Sequence, residues 1–192
     1  PIDIPAILAH VDHTLLTQGA TWDEIRALCD DGVRFGCASV CISPVYVRPA
    51  RAYLADRLPV CTVIGFPNGY ADTAVKCFEA ARAAESGADE IDMVIHVGAV
   101  KDGRWDDVLG EIRAVREAVP DRILKVIIET CLLTQAEKIR LCRIVSDAGA
   151  DFIKTSTGFA GGGATREDVA LLAAHVSPGV KVKAAGGIAS LR

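Results

Sequence analysis

Two lysines stand where short apolar runs give way to small residues. Lys154 closes Phe152-Ile153-Lys154 and is followed at once by Thr155-Ser156-Thr157-Gly158, and Lys183 follows Val180-Lys181-Val182 and precedes Ala184-Ala185-Gly186-Gly187. A free lysine, with a pKa near ~10.4, is protonated at neutral pH and is a poor nucleophile. Burial and a neighbouring cation each lower that value, and the neutral amine attacks carbonyl carbon. Two lysines on sequential strands, both facing one interior, therefore suit a Schiff-base enzyme, with Asp92 as a proton shuttle. The plainer alternative is that these charges only form buried ion pairs, which often add little net stability. Lys125 with Glu129, and Lys181, read as supporting charges, and Asp12 stands between the two classes. Cys41, at the end of an apolar run, reads as a space-filling buried thiol.

Glycines give a second signal. Gly158 and Gly161-Gly162-Gly163 follow the first lysine, and Gly186-Gly187 follow the second. Residues without Cβ let backbone approach an anion closely, and exposed N–H groups at loop–helix junctions attract phosphate. Turns of ordinary α/β proteins also use glycine, so the combination with two lysines, rather than either cluster, points to a phosphate ester.

The elements that must position these residues repeat along the chain. Candidate strands begin near His10, Cys37, Pro59, Glu90, Ile123, Asp151 and Val180, and helical patterns fill about 22–34, 44–57, 72–86, 104–118, 134–148 and 165–176. Leu141, Ile144, Val145 and Ala148 follow a helical stripe. Thr21 with Glu24, Thr134 with Glu137 and Thr165 with Asp168 are capping-box patterns. Gly87 and Gly149 end helices just before an Ala-Asp pair that leads into the next strand. The series reads as one α/β domain over 1–192 with parallel strands.

Strands covered by helices on both sides should be apolar on both faces. Here Ile91, Met93 and Ile95 alternate with Glu90 and Asp92; Leu124, Val126 and Ile128 alternate with Lys125 and Glu129; Val182 and Ala184 alternate with Lys181 and Lys183. His10, Asp12 and Thr14 share a side, as do Phe152 and Lys154. An open doubly wound sheet would strand those charges in an apolar layer, whereas a barrel gathers them in one lumen where they pair. The (β/α)8 barrel is therefore the expected fold, ahead of a Rossmann sheet, and no GxGxxG follows the first strand.

Composition narrows the function. The 192 residues carry 21 basic and 25 acidic side chains, a net charge of −4, without the basic excess of a nucleic-acid binder. The longest stretch lacking charge, Leu58–Ala71, includes Pro59 and Pro67 and is too short to span a bilayer. Seven cysteines, an odd number without CxxC, suit reduced thiols in the cytoplasm. The four histidines are scattered, so no metal site is expected.

Six stretches carry a family resemblance: Val11-Asp12-His13-Thr14-Leu15-Leu16, Val63-Ile64-Gly65-Phe66-Pro67, Glu90-Ile91-Asp92-Met93-Val94-Ile95, Lys125-Val126-Ile127-Ile128-Glu129-Thr130, Phe152-Ile153-Lys154-Thr155-Ser156-Thr157-Gly158-Phe159 and Val182-Lys183-Ala184-Ala185-Gly186-Gly187. In this order the chain resembles the deoxyribose-phosphate aldolases. The resemblance implies a class I enzyme that reversibly cleaves 2-deoxy-D-ribose 5-phosphate into D-glyceraldehyde 3-phosphate and acetaldehyde, without metal or organic cofactor. It assigns the imine to Lys154, proton transfer to Asp92 and Lys183, a supporting polar network to Asp12, and phosphate contacts to Gly158, Gly186 and Gly187. It also implies a homo-oligomer, most often a dimer, with no nucleic-acid or membrane partner. Asn68-Gly69-Tyr70 and His96 depart from the usual family residues. The rival readings are another Schiff-base sugar-phosphate or keto-acid aldolase or transaldolase, and a non-catalytic sugar-phosphate-binding barrel.

Length adds one expectation. Seven strand starts between positions 10 and 180 are spaced by about 28 residues, so an eighth strand would begin near ~208, past Arg192. The reading expects a strand–helix unit of roughly 25–40 residues to be missing from this sequence.

Overall fold

A computed structural model describes residues 3–188. Seven parallel strands form one sheet in chain order: β1 (Asp12–Leu15), β2 (Ser39–Ile42), β3 (Val60–Ile64), β4 (Glu90–Val94), β5 (Ile123–Ile127), β6 (Phe152–Lys154) and β7 (Lys181–Lys183). Helices α2 (Trp22–Phe35), α3 (Val47–Leu54), α4 (Thr73–Glu85), α6 (Trp105–Ala118), α7 (Gln135–Asp147) and α8 (Arg166–His175) connect them; α1 (Ile4–Leu8) precedes the sheet, and α5 (Val97–Lys101) lies between β4 and α6. The sheet is strongly curled, because Lys183 on the last strand reaches the His10 carbonyl and the Asp12 carboxylate beside the first. This is the architecture of a (β/α)8-type barrel, of which seven strands are seen among the described residues. The eighth strand–helix unit expected from the spacing lies outside the described residues.

Alternation along each strand divides two interiors. Val40 and Ile42, Val60 and Ile64, and Ile91 and Met93 join Ile25, Leu54, Ile112 and Leu141 in the main core between sheet and helices. Cys41, Cys61 and Val63 point the other way and form a separate small cluster with Leu16 and Phe66. Buried Glu90, Asp92, Lys125 and Lys154 share that inner side, as the parity of the sequence requires.

Local chemistry fixes the frame. Thr21–Glu24 and Thr134–Glu137 form reciprocal capping boxes. Thr165 caps α8 through the Asp168 N–H, but the box is only half made, since Lys138 holds the Asp168 carboxylate at 2.5 Å. The helix expected over 44–57 is a 3-10 turn, Pro44–Tyr46, leading into the shorter α3. Helices α1 and α5, five residues each, are too short to show a hydrophobic period, which is why the sequence pattern passes over them.

One buried ion pair ties the helix layer to the mouth of the barrel. Lys76 on α4 is fully buried; its ammonium donates to the Gly69 carbonyl at 2.6 Å, the Val94 carbonyl at 2.8 Å and Glu111 Oε1 at 2.6 Å. Glu111 Oε2 accepts the His96 N–H, and Glu79 accepts the Gly65 N–H. Gly69 must be glycine: its φ is +72°, and a Cβ would lie 2.1 Å from the Ile95 carbonyl. Gly69 and His96 thus give backbone groups to this outer anchorage, whereas Asn68 and Tyr70 bond to each other. Replacing Lys76 by alanine removes the cationic partner of buried Glu111, an expected loss of about 3–5 kcal/mol in urea unfolding. The double change Lys76→Met with Glu111→Leu is expected to recover most of that loss.

Candidate active site

The lumen carries a balanced set of three carboxylates and three ammonium groups. Asp92, fully buried on β4, lies between two lysines: its Oδ2 accepts from Lys154 Nζ at 2.6 Å, and its Oδ1 from Lys125 Nζ at 3.0 Å. Lys125 also meets Glu90 at 2.5 Å and Asp12 at 3.1 Å. Asp12 in turn pairs with Lys183 at 2.7 Å and accepts from Ser39 at 2.9 Å. Register explains the proximity, because Asp92 is opposite Lys125, and Lys154 is opposite Lys183, on neighbouring strands.

These contacts set the ionisation. Burial pushes the Asp92 carboxyl up, but Lys154 and then Lys125 outweigh it and hold the group far below the ordinary 3.8. Asp12 follows the same pattern, burial being outweighed by Lys125 and Lys183. Burial pulls Lys154 down, yet Asp92 leaves it above the ordinary 10.5. This corrects the expectation of a depressed lysine: the group facing Lys154 in the resting protein is a carboxylate rather than a second cation. Lys125 is likewise raised by Asp92 and its other anionic neighbours against the effect of burial. Glu90 is the one lumen carboxylate whose pKa is raised, since burial there exceeds the pull of Lys125, and burial likewise raises the Cys61 thiol.

Above this network lies a cavity of about 480 Å³, lined by Asp12, Thr14, Lys154, Lys183 and the loops after β6 and β7, including Gly158, Gly186 and Gly187. All three glycines have positive φ. Gly163 serves differently: a Cβ there would sit 2.4 Å from the Gly186 carbonyl, so it lets the two loops pack backbone to backbone. Thr155 Oγ1 joins the same loops, donating to the Ala185 carbonyl and accepting the Ala185 N–H.

Glu129, read with Lys125 as a supporting charge on the same strand face, has partners of its own. It takes a left-handed backbone, φ +57°, at the end of β5, and its carboxylate accepts from Thr157 Oγ1 at 2.5 Å and from the Thr157 N–H. Thr157 Oγ1 then accepts the Phe159 N–H, and Phe159 stacks edge-on against Phe66 at 5.3 Å. A chain of contacts thus shapes the loop bearing Gly158. Lys181 stands exposed over the Phe152 ring, outside the network. Cys41 is buried, and its neighbour Cys61, unremarked in the sequence, approaches Asp92 Oδ1 at 3.3 Å. Strand parity was the signal available for Glu90 and Cys61; nothing in the sequence marks Glu129's reach to Thr157.

The match to a family profile described as "DeoC/LacD family aldolase" extends over residues 6–191. The chain belongs to this aldolase family. A deoxyribose-phosphate aldolase of Streptococcus pyogenes serotype M28 is 55% identical over 190 residues, covering 99% of this chain and 85% of that protein. One from Clostridium botulinum (strain Eklund 17B / Type B) is 52% identical over 185 residues, covering 96% and 84%. The solved deoxyribose phosphate aldolase of Aeropyrum pernix, described as a unique tetrameric structure, superposes with a TM-score of 0.87 at 32% identity, over 98% of this chain and 80% of that one.

Two outcomes are expected from this geometry. Asp12 and Asp92, with lowered pKa values, contribute stability that is present above about pH 3.8 and lost as pH falls through their folded values. Asp92→Asn should therefore cost about 3–5 kcal/mol at neutral pH in urea unfolding, and the gap from wild type should narrow on acidification below about pH 4. Glu129→Ala should lower kcat/KM by about ten- to a hundredfold in steady-state assays by loosening the Gly158 loop, while Glu129→Gln, which keeps an acceptor for Thr157, retains more of the rate.

Proposed function

We propose that this chain is a class I aldolase that reversibly cleaves 2-deoxy-D-ribose 5-phosphate to D-glyceraldehyde 3-phosphate and acetaldehyde. The observation that carries the reading is Lys154, whose ammonium lies 2.6 Å from the Asp92 carboxylate at the floor of a glycine-rimmed cavity. The 52–55% identity to deoxyribose-phosphate aldolases supports this substrate over the keto acids or transaldolase donors of other Schiff-base barrels.

The reaction follows from the groups present. Asp92 Oδ2 takes the ammonium proton, and the freed Lys154 amine adds to the C1 aldehyde of the open-chain sugar. The proton returns to the carbinolamine hydroxyl, water leaves, and a protonated imine remains. That cation is the electron sink. The 3-hydroxyl loses its proton, C2–C3 breaks, C3 becomes the aldehyde of glyceraldehyde 3-phosphate, and the bonding pair forms an enamine at C1–C2. Protonation at C2 and addition of water release acetaldehyde and regenerate the amine. Asp92 and Lys183 carry these protons; Asp12 and the His10 carbonyl hold Lys183 at the cavity wall.

Lys125, bound by three carboxylates, serves as a fixed counter-charge, and its ammonium keeps Asp92 ready to release any proton it takes. Gly158, Gly186 and Gly187 receive the phosphate through backbone N–H groups. No metal or organic cofactor enters this scheme. Residues 1–192 act as one barrel domain in this reading. Seven unpaired thiols support a reducing, cytoplasmic setting. No described helix is long and apolar enough to cross a membrane. The enzyme self-associates in this reading, as the tetrameric Aeropyrum relative does.

Borohydride added with deoxyribose 5-phosphate or acetaldehyde is expected to fix a stable adduct on Lys154, located by peptide mass mapping. Cleavage activity without modification of Lys154 would remove it as nucleophile. Lys183→Leu is expected to lower kcat by about 10²- to 10⁴-fold; a near-normal rate would return Lys183 to a structural role.

A further inference from the structure

Beneath Lys154 lies a group that the aldol chemistry does not use. Cys41 and Cys61 are register partners on β2 and β3, and both side chains point into the lumen beside Asp92. One ligand atom from each of Cys41, Cys61 and Asp92 lies within 4.8 Å of the other two, and all three residues are buried. Among the described residues this is the one triad of His, Cys, Asp or Glu side chains so gathered. We propose that Cys41, Cys61 and Asp92 form a binding site for a thiophilic divalent cation of the zinc class, and that an ion held there shuts off the aldolase.

Geometry supports the ligand set. Zinc bonds of about 2.3 Å to sulfur and about 2.0–2.2 Å to carboxylate oxygen separate a tetrahedral sulfur–oxygen pair by about 3.5–3.7 Å. Cys61 Sγ and Asp92 Oδ1 stand 3.3 Å apart, so a few tenths of an ångström of opening would seat an ion between them. Two thiolates and one carboxylate leave a fourth position for water, a donor set suited to soft d¹⁰ ions rather than to magnesium or calcium.

Charge balance removes the obvious objection, that two lysines flank the triad. The lumen holds Asp12, Glu90 and Asp92 against Lys125, Lys154 and Lys183. Coordination drives off both thiol protons as the dication arrives, so the net charge of the lumen does not change. Lys125 donates to Cys61 Sγ at 3.4 Å and to Asp92, but it keeps Glu90 and Asp12 when those two turn to a metal. It becomes an outer hydrogen-bond partner of the ligands, the kind of support metal sites rely on.

Access and consequence follow from position. Thr14, the register partner of Cys41, and Lys154 both line the 480 Å³ cavity, so the triad lies just under its floor. A cation on Asp92 Oδ1 withdraws the charge that accepts the Lys154 proton, and imine formation stops. Binding releases two protons, so it tightens as pH rises. The inhibitory half of the proposal rests on the aldolase reading, whereas the site itself does not.

The test uses the full chain with Cys37, Cys77 and Cys131, the less buried thiols, changed to serine. Cadmium is titrated in while the ultraviolet charge-transfer absorption of Cd–thiolate bonds is followed. One equivalent per chain, reversal by a chelator, and at least tenfold weaker binding in both Cys61→Ala and Cys41→Ala are expected; the two variants guard against misfolding of either. The cleavage rate should fall with the same midpoint. Absence of the band at stoichiometric cadmium, or an unchanged band in both variants, overturns the site. A saturable band with an undiminished rate overturns the inhibition. A band in a protein that never cleaves deoxyribose 5-phosphate leaves the site standing and removes the aldolase reading instead.

Discussion

The carboxylate of Asp92 holds two ammonium groups at once, and the arrangement of the lumen depends on that contact. A buried carboxylate alone would be neutral, and a buried lysine alone would lose its proton. Together, with Lys154 at 2.6 Å and Lys125 at 3.0 Å, each keeps the other charged. The remaining groups complete this pairing rather than add separate sites. Lys125 brings in Glu90 and Asp12, and Asp12 brings in Lys183 across the seam between the first and last strands. The curl of the sheet is therefore as much an electrostatic matter as a topological one, since three lysines and three acids face one small interior.

Chemistry and stability draw on the same contact. For catalysis Lys154 must give up its proton, and the acceptor is the group that stabilises it in the resting state. Lys125 stops that transfer from becoming permanent by disfavouring a neutral Asp92. The outer anchorage serves the same contact: Lys76, Glu79 and Glu111 fix the backbone just beyond β3 and β4, from which Asp92 and the Phe66 loop project. Glu129 performs the corresponding service for the loop after β6.

Much of this was legible in the sequence because parity in a parallel strand is unforgiving. Alternation of Asp92 with Ile91 and Met93, or of Lys183 with Val182, assigns faces without knowledge of distances, and a shared lumen follows. The capping threonines marked helix starts for a similar reason, since their hydrogen bonds span only three residues. What escaped depended on contacts distant in sequence. The partner of Lys154 decides whether its acid constant rises or falls, and no local pattern shows that Asp92 stands nearer than Lys183. Glu129 sits on the expected face yet turns to Thr157 because its backbone is left-handed. Asp168 looked like the second half of a capping box and instead binds Lys138.

The central claim is that Asp92 governs the ionisation of Lys154. Nitrogen-15 NMR of lysine-labelled protein, followed through a pH titration in the wild type and in Asp92→Asn, measures this directly. The account predicts that the Lys154 Nζ midpoint moves down when the carboxylate is removed, because burial then acts unopposed. A midpoint that stays where it was would mean that Asp92 does not set the charge of Lys154, and the account of the site would fail.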